Sequence, residues 1–220
     1  MNNEIPRYIA IEGVIGVGKT SLAELLAQRL DATLMLEDAA GNPFLTDFYK
    51  DRKRFAFPVQ LYFLLSRFQQ LQGLVERDLF VQRIIADYIF DKDALFASVT
   101  LTEREFALYE KMAAILKRDV PRPDLVVYLQ ASTQVIMKRI KKRNMHFEKP
   151  IDSAYIDELN EAYNTFFFHY TDVPLLVVKT DHVNFIDNSK HLDDLIEQIK
   201  KPQPQTMYYA PSGDLDGRVL

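Results

Sequence analysis

The chain has 220 residues, 48% hydrophobic and 26% charged, enough for one domain with a substantial core. A net charge of −4 supplies no basic field for nucleic acid, and the absence of cysteine excludes disulfides and thiolate metal sites, which suits a reducing compartment. A polar start and the lack of any apolar run of about 20 residues predict neither a leader nor a membrane span, so the expected setting is the cytoplasm, with no nucleic-acid or membrane partner.

"YIAIE", residues 8–12, alternates apolar and polar positions as a strand does, and a glycine-rich stretch at 13–18 interrupts it. Leu22, Leu25, Leu26 and Leu30 then recur at helical spacing. Residues 33–36 form a short apolar run that ends in Glu37 and Asp38, a second strand. "GNPFLTDFY", 41–49, carries turn signals followed by aromatics. Residues 57–79 predict one long helix, in which Pro58 is tolerable only in the first turn. The stretch 81–87 predicts a buried third strand ending in Asp87, and Thr102 with Glu105 predicts a capping box for a helix to about residue 118. "PDLVVYLQAS", 123–132, is the clearest strand, and Ser132 can cap a helix through about 143. A helix over 152–169, a last strand over 174–179 and a helix near 192–200 complete the pattern. Strands alternating with helices predict a parallel sheet covered on both faces, in a single domain over residues 1–201. The segment 202–220, rich in Pro, Gly and polar residues, is expected to be a tail, mobile or partner-bound.

The interrupting stretch fits G-x-x-x-x-G-K-[ST] as Gly13, Val14, Ile15, Gly16, Val17, Gly18, Lys19 and Thr20. The glycines let successive N–H groups turn inward on phosphate oxygens, and the following helix adds its positive end. Lys19 can reach the terminal phosphates and the Thr20 hydroxyl can ligate Mg²⁺. The loop therefore predicts a nucleoside triphosphate and leaves the acceptor open. Two partial GTPase matches, at 38–41 and 178–181, fall short: Val178 stands where a polar side chain is needed to read guanine. A small-molecule kinase needs the donor loop, a carboxylate to take the acceptor's proton, an acceptor pocket and arginines to balance charge on the transferred group.

Several ordered stretches meet that list, and from about residue 8 to 179 the chain resembles the deoxyribonucleoside kinase family, of the bacterial deoxyadenosine/deoxyguanosine kinase type. The resemblance rests on the loop, "NPFLTDFYKDRKRFAFPVQLYFLLSR", "DYIFDKDALFA", "PDLVVYLQAS" and "RIKKRNMHFEKPI". It implies a P-loop kinase fold with a five-stranded parallel sheet flanked by helices, and a homodimer whose interface could use the apolar faces of the helices from Phe57 and Thr102. It implies transfer of the γ-phosphoryl of ATP, with Mg²⁺, to the 5′-hydroxyl of a deoxynucleoside, with a purine expected. Glu37 matches the general base, and its place at the end of a parallel strand suits an acceptor site. Gln60 and Arg67, seven residues apart at about 100° each, share a helix face. The resemblance assigns base reading to Gln60, with Arg67 beside it. It assigns the sugar 3′-hydroxyl to Tyr49 and Glu148, and the donor phosphates to Arg139 and Arg143, which lie i,i+4 in a lid near 139–150. Asp87 is expected to serve Mg²⁺ through water.

Three departures stand out. The third strand runs into Asp87-Tyr88, without the arginine that many relatives place after the acid, and Arg83 lies upstream. Met145 stands at the position of a third lid arginine. No acidic partner for the base-reading arginine aligns around Ala86 and Asp87. The alternatives are a nucleoside monophosphate kinase of the thymidylate kinase type, which needs cations for an acceptor phosphate, and a non-catalytic P-loop module.

Overall fold

The computed structural model describes residues 5–77, 83–201 and 205–211. Strand β1 (Tyr8–Glu12) has all five side chains buried, not alternate ones as its reading suggested, because it lies inside a parallel sheet covered on both faces. Its neighbours are β3 (Ile84–Ala86), with Ile9 level with Ile85, and β4 (Leu125–Gln130), with Ile9 level with Leu125. The full order is β2-β3-β1-β4-β5-β6, with β2 (Thr33–Met35) at one edge and β5 (Leu175–Lys179) and β6 (Thr206–Tyr209) at the other side. Near-continuous burial of β1, β3, β4 and β5 follows from helices packing on both faces.

The sheet has six strands, not the five expected. The sixth comes from the segment read as a tail: Met207 and Tyr208 lie level with Leu176 and Val177, so this part is paired to the sheet. Residues 202–204 and 212–220 of that segment lie outside the described residues, as do 78–79 of the expected long helix and 81–82 of the expected third strand.

Helix α1 (Lys19–Leu30) follows the glycine-rich loop, and α2 (Leu45–Lys50) gathers the aromatics Phe48 and Tyr49 into the core. Helix α3 (Arg52–Arg77) starts earlier than its apolar pattern suggested, so Pro58 stands inside it. Proline has no N–H to give the Arg54 carbonyl four residues back, and the helix tolerates that loss so near its start. Helices α4 (Lys92–Thr100) and α5 (Glu103–Leu116) follow β3, and the Thr102–Glu105 capping box is present at the start of α5. Helices α6 (Thr133–Arg143), α7 (Ser153–Phe168) and α8 (Ser189–Ile199) complete the layers. Ser132 caps α6 by position but makes no side-chain cap; its N–H instead donates to Asp181 at 2.8 Å. Tyr128 of β4 stacks on Phe167 of α7 at 4.2 Å between centroids, which pins that helix on the sheet. No helix among the described residues is long and apolar enough to cross a membrane.

Candidate active site

Chain connections leave β1 toward both sides, so a crevice opens beyond the carboxyl ends of the strands. The loop of residues 13–20 fills the base of that crevice. Gly13 has φ +146°, and a Cβ there would lie 2.6 Å from the Leu129 carbonyl oxygen. Gly16, at φ +82°, would drive a Cβ to 2.5 Å from the Ile140 side chain, so the loop lies directly against α6. Val14 and Val17 turn into the core, which leaves the loop's backbone to face outward at the N-terminus of α1. Lys19 Nζ donates to the carbonyls of Gly13 (2.7 Å) and Val14 (3.2 Å). Burial, then the nearby Lys92 cation, lowers its pKa to about 7.

The start of the loop is fixed by Glu12, a fully buried carboxylate that sequence reasoning missed. It accepts from Gly13 N–H (3.0 Å), Ile89 N–H (2.8 Å) and the Tyr163 hydroxyl (3.2 Å). One side chain thus joins the donor loop, the segment after β3 and α7. A charged residue ending an otherwise apolar central strand was the available signal.

Asp87, immediately after β3, accepts from the Thr20 hydroxyl (2.7 Å) through Oδ2 and from Glu37 N–H (2.8 Å) through Oδ1. The same carboxylate therefore ties the donor loop to the segment carrying Glu37. Both Glu37 oxygens are engaged: Oε1 by Arg67 Nη2, and Oε2 by Lys92 Nζ at 2.6 Å. Arg67 Nη1 in turn pairs with Asp93. Lys92 and Asp93, the first two residues of α4, stand where two of the departures noted above left gaps. Tyr88, at the position of the missing arginine, is buried with its hydroxyl on Gln70 Oε1 (2.6 Å), and Lys92 supplies the cation instead. Asp93 is the acid paired to Arg67, the partner that did not align around Ala86 and Asp87. Arg83 faces away, donating to the Pro6 and Leu30 carbonyls. The signal for the pair was present in "FDKDALFA", three charges set inside an apolar helix start.

Above this network lies a cavity of about 420 Å³, within the range that holds small ligands. Its wall brings together Lys19, Thr20, Glu37, Tyr49, Gln60, Arg67, Asp87, Arg143 and Glu148. Gln60 and Arg67 do share the inner face of α3, each nearly fully buried. Glu148 takes a two-pronged contact from Arg143, with Nε at 3.1 Å from Oε2. Burial outweighs that cation and raises the Glu148 pKa. Tyr155 and Met145, neither anticipated as site residues, also line the cavity.

Arg139 is elsewhere. Its guanidinium donates to the carbonyl of Val17 (2.7 Å), the hydroxyl (3.2 Å) and carbonyl (2.6 Å) of Thr180, and the carbonyl of Val183 (3.4 Å). It shares a helix face with Arg143 but sits one turn back, where it joins the donor loop to the residues after β5. Of the two arginines, the structure brings only Arg143 to the cavity wall.

Residues 9–202 match the family model for deoxynucleoside kinase. The chain belongs to the deoxynucleoside kinase family. It is 32% identical to the deoxyguanosine kinase of Bacillus subtilis over 199 residues, covering 88% of this chain and 96% of that one. It is 28% identical to the deoxyadenosine kinase of Lactobacillus acidophilus, covering 88% and 94%. Among solved structures it resembles deoxyadenosine kinase from M. mycoides with bound dATP, at a TM-score of 0.75 and 26% identity, over 88% of this chain and 99% of that one. As a deoxynucleoside kinase it is a phosphotransferase that acts on a hydroxyl group, with ATP as the donor that the family implies.

In a deoxynucleoside kinase built this way, turnover is expected to be sensitive to alkali through Lys92. Burial, then the Arg67 cation, lowers its pKa to about 8, while Glu12 and Asp87 oppose the shift. Raising pH through that value removes one of the two cations on Glu37, so kcat should step down near pH 8. Lys92→Arg, whose guanidinium keeps its charge, should hold its rate to about pH 9. A wild-type profile flat across this range would remove Lys92 from the chemistry. The effect on folding has the opposite sign. Unfolded lysine keeps its proton to 10.5, so the folded chain binds fewer protons between about 8 and 10.5, and this group favours folding more as pH rises there.

Proposed function

We propose that the protein transfers the γ-phosphoryl of ATP to the 5′-hydroxyl of a purine deoxynucleoside, with Glu37 as the base that accepts the hydroxyl proton. The observation that carries this reading is the place of Glu37, on the wall of one cavity between the donor loop and the Gln60–Arg67 face. The chain's own residues then divide the work. Residues 13–20 hold the donor phosphates through backbone N–H groups and Lys19. Gln60 and Arg67 hold the base, Tyr49 and Glu148 hold the sugar 3′-hydroxyl, and residues 139–150 act as the lid. Within that lid Arg143 faces the transferred group, while Arg139 braces the donor loop from behind.

A neutral acceptor fits the charge pattern better than a nucleotide. Arg67, Lys92 and Arg143 are each ion-paired to a carboxylate, so among the described cavity residues no arginine is left over for an acceptor phosphate. The purine is favoured by the relatives named for deoxyguanosine and deoxyadenosine. For Mg²⁺, the Thr20 hydroxyl and the Asp87 carboxylate lie 2.7 Å apart, a hard-oxygen pair suited to an ion that is otherwise held by substrate phosphates. When bound, the ion would neutralise charge on the phosphates. A homodimer is supported by Leu65 on α3 and by Leu108 and Ile115, seven residues apart on α5, which are large apolar side chains left exposed. A cytoplasmic setting suits a cysteine-free chain that uses ATP.

The test is steady-state ATP consumption, with Mg²⁺, against deoxyadenosine, deoxyguanosine, deoxycytidine, thymidine and their 5′-monophosphates. The expected result is turnover that depends on a purine deoxynucleoside, with light scattering on the same sample reading two 25.6-kDa chains. Turnover with monophosphates alone would replace this reading with the thymidylate-kinase type. No turnover with any acceptor would leave a nucleotide-binding module.

A further inference from the structure

We propose that Thr100, which lies behind the cavity wall, is a positioning residue that decides which end of the Gln60 amide meets the base, and so favours a 6-amino purine over a 6-oxo one. This rests on the deoxynucleoside reading above. Thr100 is the last residue of α4, and its Oγ1 lies 2.6 Å from the carbonyl oxygen of Phe96. A carbonyl has no hydrogen to give, so the single hydroxyl hydrogen of Thr100 is committed to Phe96. Gln60 Nε2 lies 3.2 Å from the same Oγ1, which can therefore only accept from it. Turning the amide over would set Gln60 Oε1 against the Thr100 lone pairs, with no hydrogen between them. The hydroxyl thus fixes Gln60 with Oε1 as its free end.

That free end matters because the amide is nearly fully buried and Oε1 has no hydrogen-bond partner among the described residues. Two other buried atoms of the base-side cluster share this condition, the acceptor Asp93 Oδ2 and the donor Arg67 Nε. Gln60, Arg67 and Asp93 all line the cavity. Two unpaired acceptors and one unpaired donor call for an edge with two donor hydrogens and one bare acceptor. Adenine has that edge, an exocyclic amine beside an unprotonated ring nitrogen. Hypoxanthine has the same outline but carries an oxygen in place of the amine, which would face acceptors.

The probe pair is deoxyadenosine and deoxyinosine, which differ in the group at position 6 and the proton on N1. Wild type should prefer deoxyadenosine by at least about tenfold in kcat/KM, since a site built for a hydrogen-bonding group rejects the analogue that lacks it. Thr100→Val keeps the branched shape and removes the hydroxyl, which frees the amide to turn. The preference should fall by at least about fivefold, mostly through a lower KM for deoxyinosine, and Thr100→Ser should restore it. Should Thr100→Val not fold, Thr100→Ala carries the same test. An unchanged ratio, an equal loss on both nucleosides, or a wild type indifferent to the pair would each overturn the proposal. A wild type that consumes ATP with neither these nor any other deoxynucleoside would overturn the functional reading beneath it, a result distinct from a flat ratio.

Discussion

Glu37→Gln should lower kcat by roughly 10²–10⁴-fold, the usual loss when a positioned base is removed, while the KM for ATP changes little. The substitution keeps the size of the side chain and removes its charge and its capacity to take a proton. ATP is expected to lean on the loop of residues 13–20, which Asp87 links to Glu37 through its backbone N–H and not its side chain. Circular dichroism and a melting curve on the same sample would show whether the chain stays folded. Turnover near the wild-type rate in a folded variant would end the assignment of Glu37 as the base. Glu37→Asp is a useful companion, because it keeps the proton acceptor but draws it back from the cavity, and it should retain more activity than Gln.

Arg67→Met is the second large effect, and it acts on stability. Arg67 and Asp93 are both almost completely buried, and Asp93 already has one oxygen with no hydrogen-bond partner among the described residues. Removing the cation leaves Asp93 uncompensated and Glu37 with Lys92 alone. Breaking such a buried pair costs about 3–5 kcal/mol. For a chain of this size that corresponds to a fall in Tm of roughly 6–20 °C. The double change Arg67→Met with Asp93→Leu should recover much of the loss, since it removes both desolvated charges together. A single variant that melts with the wild type would mean that water reaches Asp93 and that the network is not a buried one.

Much of the fold was legible because its signals are local. The glycine loop, the apolar spacing of α1 and the capping box of Thr102 and Glu105 each sit within one turn or two of chain, and all three hold in the structure. The seven-residue spacing of Gln60 and Arg67 likewise gave their common face. The second cation on Glu37 was not legible, because Lys92 reaches it across 55 residues and Tyr88, at the position of the missing arginine, is turned into the core. The place of Arg139 was not legible for a related reason. Helical spacing tells which residues share a face, but not how far along it a cavity extends, and backbone carbonyls from two distant loops collect Arg139 first. The sixth strand was hidden by its composition: "TMYY" lies between proline-containing stretches and becomes a strand only where β5 offers an edge.

That last strand also bears on how the chain is made. β6 is the last strand in chain order among the described residues, so until residues 206–209 have been synthesised the row of N–H and C=O groups that β5 turns toward β6 lacks that mate. An apolar strand with an open edge is a template for another nascent chain. The segment 206–209 is therefore expected to shield β5 from misassembly, with an efficiency set by the rate at which translation delivers it.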